Sequence, residues 1–144
     1  MEDYSKILFP HDFFEEPGVE SAWAKKVNTG YQLDNILFYA KNYALNDIIE
    51  VKELGGALYA KDVIRESGHS TIRVLVDDAK KVQSLRAELE SMGCASELSN
   101  LPTLIAVDVP PTVSYSFVQN YLNQGLQDGE WEYQEAAIAT NRKP

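Results

Sequence analysis

The stretch 71–137 limits the architecture more than any other, because its signals follow in the order strand, helix, strand, strand, helix, strand. Residues 71–76 (TIRVLV) are rich in β-branched side chains. Asp77 and Asp78 then offer an N-cap to a segment in which Val82, Leu85, Leu89 and Met92 recur at spacings of three and four. That spacing predicts an amphipathic helix ended by Gly93. Two short runs, 94–99 and 103–109, are joined by Asn100, Leu101 and Pro102 and predict a hairpin-like return. Beyond Pro110 and Pro111 a second helix is predicted, with Val118, Leu122 and Leu126 on one face and Gly129 at its end. The alternation Glu130, Trp131, Glu132, Tyr133, Gln134 predicts a last strand with aromatics inward and acids outward. Two split βαβ halves in tandem predict a ferredoxin-like βαββαβ sandwich. Such a sheet carries helices on one face only, and the strands 73–76 and 104–107 read as apolar on both sides. The second face is therefore expected to pack against the N-terminal half or a second copy of the chain.

Residues 1–68 read differently. Residues 6–10 (KILFP) predict a first strand, followed by an acidic turn at Asp12, Glu15, Glu16, Pro17 and Gly18. Residues 19–27 alternate, placing Val19, Ser21, Trp23 and Lys25 on one side. The triplet Asn28, Thr29, Gly30 then predicts a tight turn returning through 31–33. Periodicity does not decide 36–44 between a short helix and an irregular crossing. Strands are predicted at 48–54 and 57–65 around the two-residue loop Gly55-Gly56. The fold class expected is thus α+β: a small antiparallel β-barrel-like half, 1–68, followed by the ferredoxin-like half, 69–144, the two packed as one rigid unit.

Charge narrows the partners. The chain of 144 residues carries a formal net charge of −9, which disfavours nucleic acid and anionic membrane and favours a basic partner. No Lys or Arg occurs from Ala87 to Asn141, whereas Asp128, Glu130, Glu132 and Glu135 crowd the end of the second helix and the last strand. These four are the first partner-binding candidates; the second cluster is Asp12, Glu15, Glu16 and Glu20, in a half richer in lysine. A lone cysteine, Cys94, excludes an internal disulfide and any cysteine-based zinc site, and the acidic N-terminus lacks the features of a signal peptide. Both fit a cytoplasmic protein.

Catalytic signals are weak. Residues 66–70 (ESGHS) gather a carboxylate, two hydroxyls and His69, but Ser67 and Ser70 have local backbone uses at a turn. His11, the other histidine, sits among acids without a paired-histidine spacing, so no metal is expected. The glycines form no phosphate-binding loop, and no cofactor is expected.

The chain resembles the bacterial domain of unknown function 4265 family. The resemblance rests on Leu33-Asp34-Asn35-Ile36 with Phe38 and Ala40, on Asn46-Asp47-Ile48-Ile49, and on Ser67-Gly68-His69-Ser70-Thr71 with Arg73. It extends through Leu89-Glu90-Ser91-Met92-Gly93-Cys94, Val107-Asp108-Val109-Pro110 and Gly129-Glu130-Trp131-Glu132-Tyr133. It implies no activity and no catalytic residue. By analogy, small acidic proteins of such bacterial families are often immunity proteins, and a nuclease toxin must be basic to hold nucleic acid. The leading expectation is therefore a non-enzymatic binder that occludes a cognate toxin; the alternative is a small-molecule-binding or regulatory domain.

Overall fold

A computed structural model describes residues 3–13, 15 and 17–142. Nine strands and two α-helices follow one another as β1 (Tyr4–His11), β2 (Gly18–Lys26), β3 (Tyr31–Leu33), β4 (Ile48–Leu54), β5 (Ala57–Arg65), β6 (Ser70–Val76), α1 (Val82–Ser91), β7 (Ala95–Leu98), β8 (Leu104–Val109), α2 (Tyr115–Gln127) and β9 (Trp131–Ala137). Strands β1 to β5 close a barrel, and the remaining four form a second sheet in the order β7-β8-β6-β9.

In the barrel every sequential pair is antiparallel, as the turn residues predict. Gly55 and Gly56, at φ 57° and 83°, make the β4–β5 turn in the left-handed region that glycine enters without strain. The closing seam differs from the antiparallel expectation: β1 and β5 run parallel, with Ile7 opposite Leu58 and Leu8 opposite Tyr59. A barrel of five strands joined by sequential antiparallel pairs is bound to this outcome. Its first and fifth strands point the same way.

The barrel interior holds Ile7, Phe9, Ala22, Ala24, Leu33 and Ile49. Residues 34–47 form no regular element, yet Ile36, Leu37, Ala40 and Ala44 in this crossing are buried, and Leu37 and Ala40 fill the barrel core. The outward register of β2 leaves Val19 and Trp23 exposed, in keeping with the alternation read from sequence.

In the second sheet β6 is central, flanked by β8 and β9, both antiparallel to it. Ile72, Val74 and Val76 of β6 and Ile105, Val107 and Val109 of β8 share one face, and Val82, Leu85 and Leu89 of α1 and Val118 and Leu122 of α2 pack on it. Both helices thus cover the same face. Asp78 caps a single 3-10 turn, Ala79–Lys81, that leads into α1, and Ser114 caps α2 through the Phe117 N–H. Leu126 departs from expectation: it is 45% exposed, and Gly125 is buried instead. At about 100° per residue, Leu126 lies about 80° around the helix from Val118, whereas Gly125 lies within about 20°. A side chain at 125 would collide with Trp131, whose Cζ2 stands 2.0 Å from an ideal Cβ there. Among the described residues no helix is long and apolar enough to cross a membrane.

Candidate functional site

The face of the second sheet opposite the helices presents Thr71, Arg73 and Leu75 from β6 beside Asp108, Ala106 and Leu104 from β8. It packs on the N-terminal half, but its centre is polar rather than apolar: Thr71, Arg73 and Asp108 are all buried. Segments distant in sequence converge here. His69 Nδ1 donates to Asp108 Oδ1 over 2.8 Å, and its Nε2 lies 3.5 Å from the Asn46 side-chain nitrogen. Asp47 accepts from the backbone N–H groups of Ala44 (2.9 Å) and Ser67 (2.9 Å). Ser70 Oγ accepts from Ala139 N, so the chain after β9 is tied to the start of β6.

Burial pushes the Asp47 carboxyl up, against the two backbone N–H groups that favour its charged form. Burial likewise pushes Asp108 up, opposed by the hydrogen bond and charge of His69. This junction does not assemble a nucleophile. The Ser67 hydroxyl donates to Leu45 O and accepts from His69 N, while Ser70 is taken by Ala139. The arrangement is a polar clasp between the two halves. No group of three or more His, Cys, Asp or Glu side chains among the described residues is placed to hold a metal.

Arg73 is 2% exposed. One guanidinium nitrogen, Nη1, donates to Tyr39 O at 2.9 Å, and the Phe13 ring lies 5.0 Å from its central carbon. Burial lowers its pKa, and the field of Glu20 raises it.

Seven of the eight acidic candidates lie among the described residues, and they separate in space. Glu20 is in phase with Ala22 and Ala24 on the inward face of β2, and its carboxylate accepts from the backbone N–H groups of Phe38 (2.7 Å), Tyr39 (2.9 Å) and Ala40 (3.0 Å). It holds the crossing rather than facing a partner. Asp12 and Glu15 are exposed, and Glu15 adopts φ 62°; Glu16 lies outside the described residues. Glu135 points to the helix side of the sheet, where Tyr115 donates to it over 2.6 Å and Gln119 over 3.3 Å. Asp128 and Glu132 are exposed and Glu130 is half-buried. Glu130 and Glu132 share a corner with Asp77, because Glu130 O accepts from Asp77 N at 2.9 Å and Glu132 stands opposite Leu75.

Sequence reasoning missed what completes that corner: Leu75 and Leu126, 46% and 45% exposed, border a shallow groove of about 320 Å³ with Asp77, Gly129 and Glu132. The 3.6-residue phase of α2 is the signal that exposes Leu126.

Fold and site define a mixed α+β protein in which a closed five-stranded barrel is clasped to a second sheet through buried polar side chains. The chain belongs to the family described as Domain of unknown function (DUF4265), whose profile matches residues 20–133. Its fold is shared with a solved structure titled "Novel crystal structure of a hypothetical protein from Neisseria gonorrhoeae", at 23% identity and a TM-score of 0.83, over 94% of this chain and 95% of that one. No curated protein matches the chain.

Proposed function

We propose that this is a cytoplasmic binding protein, not an enzyme, that captures a basic protein partner at the corner formed by Asp77, Glu130 and Glu132, together with Asp128, in the manner of an immunity protein occluding a nuclease-type toxin. The observation that carries the reading is the pairing of exposed apolar side chains, Leu75 and Leu126, with the acids Asp77 and Glu132 along one groove. Apolar contacts supply the buried centre of an interface, and rim charges steer encounter and select the partner's sign. Lys81 pairs with Asp77 at 3.2 Å, and no Lys or Arg occurs in sequence from Ala87 to Asn141. We further assign the second sheet to the ferredoxin-like type, supported by its strand order and by two helices on a single face.

The test uses the protein recovered with the wild type from its native strain, followed by association kinetics across a salt series. The partner is expected to be basic, and the double variant Glu130→Lys/Glu132→Lys to bind it more slowly and with a flatter salt dependence. Each exposed pair is worth only about 0.2–1 kcal/mol at equilibrium, so the rate is the sensitive readout. An acidic partner, or rates unchanged by the double reversal, sinks the proposal.

A further inference from the structure

Arg73 is a buried cation with spare donors. Its Nη1 is bound to Tyr39 O, but Nε and Nη2 are shut off from solvent and meet no acceptor among the described residues. The neighbouring carboxylate, Glu20, has both oxygens occupied by backbone N–H groups. Leaving two charged donor nitrogens without an acceptor is costly, and in native proteins such groups point to a missing ligand, ion or water. Next to the guanidinium lies a pocket of about 270 Å³ whose walls are Phe13, Leu75, Leu101, Leu104 and Tyr133, with the exposed Glu132 and Gln134 at its mouth. A cationic fork beside apolar walls is a composite that neither a polypeptide core nor a solvated surface requires.

We propose that this pocket binds a small organic acid, a single carboxylate carried on an apolar body. The two carboxylate oxygens take the parallel N–H groups of Nε and Nη2, the geometry for which the guanidinium fork is suited. The hydrocarbon lies against Leu75, Leu101 and Leu104. At about 30 Å³ per heavy atom, a water's share of volume, the pocket accommodates roughly nine such atoms. Because Phe13 stacks over the guanidinium, the acid enters as that ring swings aside. Phosphate and other multiply charged anions fit poorly: the walls are mainly apolar, and Glu132 and the net charge of −9 repel a second negative charge more than a first. The carboxylate can come from a free organic acid or from the C-terminus of a peptide ending in apolar residues. This inference rests on Arg73 and the pocket walls, not on the acidic corner, although Leu75 and Glu132 border both.

The experiment titrates the full-length protein with octanoate, following the Arg73 Nε–H resonance by NMR and the affinity by calorimetry. Octanamide supplies the same body without the charge. The peptide Ala-Ala-Leu-Leu, with free and with amidated C-terminus, tests the second source. Octanoate or the free peptide is expected to shift the Arg73 resonance at one saturable site, the tighter of the two identifying the source, and the amide forms to bind roughly tenfold or more weakly, as expected where a buried polar group loses its partner. Leu75→Glu, at a position 46% exposed, should weaken binding by a similar factor, whereas Arg73→Lys tests the fork if it folds. An unmoved Arg73 resonance with both acids, equal affinity for octanoate and octanamide, or wild-type affinity in Leu75→Glu overturns the assignment.

Discussion

Replacing Glu20 by Ala should destabilise the protein by about 3 kcal/mol, although Glu20 belongs to the acidic cluster that sequence alone assigns to a partner. The figure follows from three backbone donors, those of Phe38, Tyr39 and Ala40, which lose their acceptor together. These donors are only partly buried, so water recovers some of each bond and a net loss near 1 kcal/mol per donor is appropriate. The damage propagates, because Tyr39 O is the acceptor for Arg73 Nη1. Glu20→Gln keeps one acceptor oxygen in place and should lose about half as much. Equilibrium urea unfolding by tryptophan fluorescence reads this directly: with a slope of about 2 kcal/mol/M, the Ala variant's midpoint should fall by about 1.5 M and the Gln variant's by about half that. Midpoints within about 0.2 M of wild type would refute the claim that this carboxylate anchors the crossing. Combining Glu20→Ala with Arg73→Met should give less than the sum of the single losses, since both act on the same loop.

Gly125→Ala sets two effects against each other: Ala is better than Gly in a helix interior by about 1 kcal/mol, but the added methyl meets the Trp131 ring, so overpacking should win and thermal unfolding should show a net loss of 1 kcal/mol or more, about. Leu37→Ala, in a segment without regular structure, should cost about 3 kcal/mol in urea unfolding, as for a core leucine, because Leu37 is 1% exposed inside the barrel. The pH dependence follows from Asp47 and Asp108, both held above the usual carboxylate range by burial. Below the ordinary value of about 4 both states are protonated; as pH rises the unfolded chain ionises first, so these groups subtract stability until their folded pKa values are passed. Asp108→Asn should therefore lose stability relative to wild type as pH is lowered from 8 toward 4, by at most about 1.4 kcal/mol per pH unit, and a difference constant with pH would contradict this assignment.

What could be read from sequence follows turn chemistry and phase. The bounds of β3, β4 and β5 are legible because Asn28-Thr29-Gly30 and Gly55-Gly56 punctuate β-branched alternation, and both helices are legible from their spacing and caps. Residues 34–47 are not, because their apolar side chains answer to the barrel interior rather than to any local period. Arg73 escapes for a similar reason: within TIRVLV its alternation is visible, but only the register with β8 and the approach of Tyr39 bury it. Among the acids, Glu130 and Glu132 can be placed together from sequence. Glu20 and Glu135 cannot be separated from them without knowing that backbone N–H groups, in the first case, and Tyr115, in the second, claim their oxygens.

The parallel seam between β1 and β5 carries a kinetic consequence. Ile7 and Leu58 are neighbours in space but are separated by the whole meander between them, so the barrel stays open on a ribosome until β5 has emerged. The second sheet waits longer still: its central strand β6 takes one neighbour from β8 but the other from β9, which is made after it and after α2. Until residues 131–137 leave the exit tunnel, one side of β6 offers unpaired N–H and C=O groups to any passing strand. The interval between synthesis of β8 and of β9 is thus the period in which this chain is most open to mispairing, and the Ala139 contact to Ser70 closes it.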